Sequence, residues 1–309
     1  MMNEKPLFAN DPDPFDHNAL MQAVEAVTGE YPFLERHTLG QSILGREIPL
    51  LRIGSGAHAV LYVGAHHGME WITSMVLMRF VKDICECFRE KRYFYRYSSS
   101  LFLQAHSIWI LPMLNPDGVD YQIHGVSQDN PLYERVTAMN GGNGDFSHWQ
   151  ANARGVDLNH NYDAGFAEYK KRECESGIAG GAPTRYSGEE AESEPEVAAL
   201  CRWIRFHDNL SGILTLHTQG KEIYYRSGGI ELPKSKFAAQ RIARISGYRL
   251  ADAEGLASFG GLTDWCVQSL GLPAFTLECG EGCNPLPASD WHAIYCDLRR
   301  VLFTFPILL

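Results

Sequence analysis

The apolar positions of the chain fall into two kinds of run. Four are short and unbroken: AVLYVG at 59–64, SIWILPM at 107–113, GILTL at 212–216 and AFTL at 274–277. Strands buried on both faces read this way, without the polar alternation of a half-exposed sheet. Residues 36–39 and 48–53 predict two further strands around a turn at Gly45. Longer segments predict helices at 18–27, 69–88, 234–247 and, largely, 287–303. Asp16 or Asn18 is placed to cap the first of them. Ser193 followed by Pro195 predicts another helix, capped by the serine and running to Phe206. Asn115-Pro116-Asp117-Gly118 predicts a turn, and the Gly-rich stretches 140–147 and 177–188 predict loops. The final apolar stretch, 301–309, is broken by Pro306 and predicts a tail packed on the core.

Strands alternating with helices predict an α/β class with a mostly parallel or mixed sheet. Ligands of such sheets bind beyond the carboxyl ends of the strands. A chain of 309 residues buries a core without disulfide staples. Its 27 Lys and Arg against 37 Asp and Glu leave a formal charge of −10. That balance excludes a general nucleic-acid binder and disfavours an anionic membrane as the main partner. No run approaches the roughly 20 apolar residues of a membrane span. Residues 1–16 carry Glu4, Asp11, Asp13 and Asp16 against one lysine, unlike a secretory leader, so a cytoplasmic location is expected. The eight cysteines then read as unpaired thiols, with Cys279 and Cys283 the pair to watch.

Three polar groups stand at the ends of apolar runs, and a fourth lies in the segment 151–161. In GAHHGME at 64–70, His67 and Glu70 lie across a strand-to-helix turn, a spacing that can aim an imidazole and a carboxylate at one point. Zinc takes both ligand types. The same string also suits a helix start with Glu70 in its first turn and a solvent-facing histidine. His217 closes the run at 212–216 and can share a cleft with His67, or it is a core histidine bonded to backbone. Glu278 closes the run at 274–277, where a carboxylate is costly unless paired or working, either as a base or in an ion pair with an arginine. The segment ANARGVDLNHN at 151–161 gathers Arg154, Asp157, Asn159 and His160. Arg154 could stabilise an oxyanion, Asp157 could orient a metal-bound imidazole, and Asn159 with His160 could hold a carboxylate, or each is an ordinary loop contact.

In this order the groups resemble the zinc carboxypeptidase family, over roughly residues 38–290. The resemblance implies an α/β/α fold with a central mixed, mostly parallel sheet of about eight strands. Residues 1–37 then form an N-terminal extension with a short helix, and 38–309 a single catalytic domain. The resemblance further implies one zinc ion on His67, Glu70 and His217, with Glu278 as base and proton shuttle. It implies Arg154 at the oxyanion, Asp157 behind His67, and Asn159 on the carboxylate of the leaving residue. The sequence departs from the family in two places. His160 stands where arginine is usual, and it lacks arginine's bidentate fork. Counting back from Gly260-Gly261, the position of a mobile tyrosine holds Leu256, with Phe259 the nearest aromatic.

Both departures resemble the bacterial γ-D-glutamyl-L-diamino acid peptidase branch. So do APTRY at 182–186, SEPE at 193–196, LHTQGKEIY at 216–224 and, most closely, ECGEGCNPLP at 278–287. That branch cleaves the γ-D-glutamyl amide to diaminopimelate or lysine in peptidoglycan stem peptides. The expected substrate is therefore a small peptide or recovered muropeptide, with Arg185 as a further anion contact. Three alternatives compete: a general carboxypeptidase for α-linked peptides, an aspartoacylase-like deacylase, and a catalytically silent binding protein.

Overall fold

The computed structural model describes residues 14–253, 255 and 259–309. Eight strands form one sheet in the order β1-β2-β6-β3-β7-β10-β8-β9. They are β1 (Glu35–Gln41), β2 (Glu47–Ile53), β3 (His58–Val63), β6 (His106–Leu111), β7 (Leu210–His217), β8 (Glu222–Tyr224), β9 (Arg249–Leu250) and β10 (Ala274–Glu278). A separate hairpin pairs β4 (Tyr93–Phe94) with β5 (Tyr97–Ser98). The central strands β6, β3, β7 and β10 run parallel, while β1–β2, β2–β6 and β10–β8 are antiparallel. The sheet is mixed and mostly parallel.

The unbroken apolar runs are explained by layers on both faces. Along β3, Val60 and Tyr62 enter one core, and Ala59, Leu61 and Val63 enter the other. The first core packs under helices α1 (His17–Glu30), α2 (Ile72–Arg89), α8 (Pro233–Ser246) and α10 (Trp291–Thr304). The second packs under α7 (Pro195–Phe206) and α9 (Leu262–Trp265). The chain is completed by α3 (Ser99–Ala105), α4 (Pro116–His124), α5 (Tyr133–Met139) and α6 (Phe166–Glu175). The tail packs as expected, with Val301, Leu302 and Phe305 buried. Leu20, Val24 and Val27 of α1 join the first core, and Asp16 caps that helix by accepting from the Ala19 amide at 2.8 Å. No described helix is long and apolar enough to cross a membrane.

Three local expectations are corrected. The Asn-Pro-Asp-Gly string opens α4: Asn115 accepts from Gly118 N at 2.9 Å as its cap, and Pro116 fills the first helical turn. The helix expected at 69–88 is preceded by a separate 3-10 turn, Gly68–Glu70, before α2 begins at Ile72. Glu194 is the N-cap residue of α7, because Ser193 turns its hydroxyl to the Glu194 carboxylate at 2.9 Å.

Candidate active site

The carboxyl ends of β3, β7 and β10 deliver His67, His217 and Glu278 to one cleft. His217 and Glu278 are paired in register across the parallel β7–β10 ladder. Beyond β3 the chain turns sharply. A Cβ on Gly68 would lie 2.3 Å from the Gly118 carbonyl oxygen, so only glycine lets the turn pass so close to α4. This turn sets His67 just before the 3-10 turn that presents Glu70.

His67 Nδ1 lies 2.9 Å from Glu70 Oε1, and His217 Nδ1 lies 3.1 Å from Glu70 Oε2. The two imidazole nitrogens are 3.3 Å apart. On its other edge, His67 Nε2 meets Asp157 Oδ1 at 3.1 Å. When that nitrogen donates to Asp157, the Nδ1 lone pair faces inward. Two imidazoles and a carboxylate then converge on one point, and a divalent cation satisfies all three. Ligand atoms of His67, Glu70 and His217 all lie within 4.8 Å of one another. The residues fit a zinc site with three protein ligands.

The charges agree with this geometry. Burial would lower the His67 pKa, but Glu70 and Asp157 outweigh it and raise it well above the ordinary imidazole value. Burial would raise Glu70, yet His67 and His217 hold its carboxyl down at about 2. Asp157 is likewise held below the usual carboxylate range, against burial, by His67 and His160. Burial, then the neighbouring Glu70 carboxylate, push Glu278 well above the usual value. The adjacent His66 is no ligand. It is fully buried, meets Tyr162 Oη at 3.0 Å and is held neutral by burial and by the neighbouring histidines.

A cavity of about 260 Å³ opens beside this centre and is lined by His67, Asp157, Asn159, His160, Arg185 and Glu278. Asn159 Oδ1 accepts from Leu262 N at 3.1 Å, which leaves its amide nitrogen for a ligand. Arg185 has φ +65° and donates its backbone N–H to Asp157 Oδ2 at 3.0 Å. Its exposed guanidinium has no described partner.

Two expectations change. Arg154 is not in this cavity. Its guanidinium pairs with Glu194 at 3.0 Å and lines a different hollow, so it is not aimed at an oxyanion. Gln150, four residues earlier, lines the cleft instead, with its Oε1 accepting from Thr184 Oγ1. His160 lies in the cleft, but Nδ1 donates to the Phe259 carbonyl at 2.7 Å and the ring stacks on Tyr169 at 4.2 Å. Burial lowers its pKa despite Asp157. A neutral His160 presents Nε2 as an acceptor, which suits an N–H donor rather than a carboxylate. Leu256 lies outside the described residues. Phe259 turns its ring beneath Arg172 at 4.7 Å.

Sequence reading missed the far wall: Tyr224, Arg226, Thr263, Asp264 and Thr276. Thr276 and Tyr224 are register partners on β10 and β8, which puts them on the face that carries Glu278. Arg226 forms a two-pronged pair with Asp252. Asp264 accepts from Ser227 Oγ and from Gly261 N, and burial pushes its carboxyl up to about 6. Among the signals missed, Asp264 stands three residues after the Gly260-Gly261 pair. The eight cysteines are all free thiols, Cys279 buried and Cys283 exposed.

Residues 20–294 match the family described as zinc carboxypeptidase. Among individual relatives, the chain is 32% identical to a γ-D-glutamyl-L-diamino acid endopeptidase 1 of Lysinibacillus sphaericus, over 91% of this chain and 69% of that one. It is 26% identical to carboxypeptidase B of Bos taurus, over 82% of this chain and 60% of the relative. Bovine thrombin-activatable fibrinolysis inhibitor shares the fold at TM-score 0.69 and 18% identity, covering 95% of each chain. The murein-tripeptide amidase of Escherichia coli O157 shares it at TM-score 0.53 and 19% identity, covering 88% of this chain and 92% of that one.

Proposed function

Because the chain belongs to the zinc carboxypeptidase family and is a zinc metallopeptidase, we propose that it cleaves the γ-D-glutamyl–diaminopimelate amide of peptidoglycan stem peptides. The observation that carries this reading is the charge pattern of the cleft. A small polar cavity is lined by Arg185 and by the half-buried Asp264, together with Thr184, Thr263 and Thr276. A large apolar side chain gains nothing there. A leaving residue whose side chain ends in both an ammonium and a carboxylate, as diaminopimelate does, meets both signs. The named relative from Lysinibacillus supports the same branch.

His67, Glu70 and His217 would hold the ion. When bound, zinc supplies Lewis acidity that polarises the scissile carbonyl and makes water a nucleophile near neutral pH. Asp157 fixes the His67 ring through Nε2. Glu278 takes the proton of the attacking water and returns it to the leaving amine. Gln150, with its oxygen engaged by Thr184, offers its amide N–H to the reacting carbonyl in place of Arg154. The Asn159 amide and the Arg185 guanidinium hold the carboxylate end of the leaving residue. Asp264 and His160 Nε2 accept from its amines. Free thiols throughout support action in a reducing cytoplasm on recovered muropeptides.

Mass spectrometry of products from L-Ala-γ-D-Glu-meso-diaminopimelate, beside an α-linked control tripeptide, tests the reading. Free diaminopimelate from the first substrate alone is expected. Cleavage of the control alone returns the chain to general carboxypeptidase activity and overturns the proposal.

A further inference from the structure

A second cavity, of about 320 Å³, lies far from the cleft and is ringed by Arg96, Arg241, Arg244 and Arg300. The helix α2 begins beside Glu70 and runs 18 residues to Arg89. At 1.5 Å per residue its far end is on the order of 25 Å from the metal centre. The β4–β5 hairpin that follows α2 contributes Arg96, while α8 contributes Arg241 and Arg244 and α10 contributes Arg300. Three separate elements therefore contribute arginines to the lining of one hollow.

These arginines lack the partners that other arginines of this chain have. Arg46, Arg79, Arg154 and Arg205 each pair with a carboxylate within 4.0 Å. Among the described residues no carboxylate pairs with any of the four. Arg300 lies over the Tyr95 ring at 5.2 Å and Arg241 over Phe237 at 5.6 Å. Arg96 and Arg244 make no recorded polar contact. Guanidinium groups stay charged at any physiological pH. Four of them around one hollow repel one another, in a chain whose net charge is −10. A helix C-terminus accounts for one such charge, near the end of α8, but not for four from three elements.

The rest of the lining points to an organic body beside the anion. Tyr95, in the hairpin turn, is 51% exposed at φ +57°, and Tyr97 on β5 lines the same cavity. Ile245, Ile307 and Leu308 supply an apolar floor. We propose that this cavity binds a nucleoside diphosphate or a closely similar organic diphosphate. Two adjacent phosphates engage the four guanidinium forks, and the flat base lies against tyrosine and the apolar floor. The volume is at the lower end of ordinary ligand pockets. The site is separate from peptide hydrolysis and does not depend on its substrate.

Isothermal titration of the zinc-loaded chain tests this with ADP, UDP, inorganic pyrophosphate and orthophosphate. Dissociation constants below about 1 mM are expected for the nucleotides at low salt, weakening as salt rises. Orthophosphate should bind at least about tenfold more weakly. The double variant Arg244→Gln, Arg300→Gln changes exposed side chains and should melt like the parent. It should weaken nucleotide binding by about tenfold or more. Nucleotide binding no tighter than orthophosphate, or equal binding by the double variant, overturns the proposal. Flotation with phosphatidylglycerol vesicles but no binding of soluble nucleotides identifies a lipid headgroup as the phosphate source and also overturns it.

Discussion

Glu196 offers the most quantitative test of how this fold manages charge. It lies near the start of α7, is fully buried, and forms no ion pair among the described residues. Its Oε1 accepts from the Ile43 amide at 3.3 Å, and Oε2 lies 3.5 Å from Asn152 Nδ2. The charged groups around it are already engaged. Glu194 is held by Arg154, and Asp117 by Arg46. Burial, together with the Glu194 and Asp117 carboxylates, pushes the Glu196 carboxyl from 4.5 up to about 8. The folded chain therefore keeps a proton that the unfolded chain releases. Stability from this group is complete below pH 4.5 and is lost as pH rises toward 8. The slope reaches about 1.4 kcal/mol per pH unit, so the loss between about pH 5.5 and 7.5 is roughly 2–3 kcal/mol. Glu196→Gln mimics the protonated acid and has no such loss. Thermal and urea unfolding at pH 5.5, 6.5 and 7.5 should show the variant gaining on the parent by that amount, about 4 °C in Tm for a chain of this length. Parallel pH profiles for variant and parent would mean that Glu196 is ionised in the native state, and the reasoning would be wrong.

Other outcomes follow from the cleft. Glu278→Gln should retain stoichiometric zinc by elemental analysis and lose about 10²- to 10⁴-fold in kcat; turnover near the parent's would remove Glu278 as the base. His67→Ala should drop below one zinc per chain after dialysis, and full occupancy at unchanged affinity would refute the ligand set. Arg185→Gln should raise KM for the diaminopimelate peptide by about ten- to a hundredfold with kcat little changed, the worth of a charged hydrogen bond. An unchanged KM would exclude Arg185 from recognition.

Much of the frame was legible in the chain because burial on both faces leaves an unmistakable run. The strands β3, β6, β7 and β10 carry such runs, and His67, His217 and Glu278 follow or close β3, β7 and β10. Strands β8 and β9 are three and two residues long and carry no periodicity to read. Asn115-Pro116-Asp117-Gly118 misled because a turn and a helix start use the same residues, and only the Gly118 amide decides between them. Arg154 misled for a related reason. Its partner, Glu194, lies forty positions away, so the pairing that withdraws it from the cleft has no local signature. The far wall was hidden because Tyr224, Asp264 and Thr276 meet only through strand register and the α9 turn.

Asp157 performs three tasks with one carboxylate. It orders the His67 ring, it receives the Asn159 amide at 3.2 Å, and it receives the Arg185 amide at 3.0 Å. The residue that steadies the His67 ring is thus the one that steadies two groups lining the cleft beside it. Occupancy of one end favours the arrangement needed at the other, and such cooperativity is reciprocal. An enzyme busy with peptide should resist chelators longer than an idle one, so scarcity of substrate and scarcity of metal would reinforce each other.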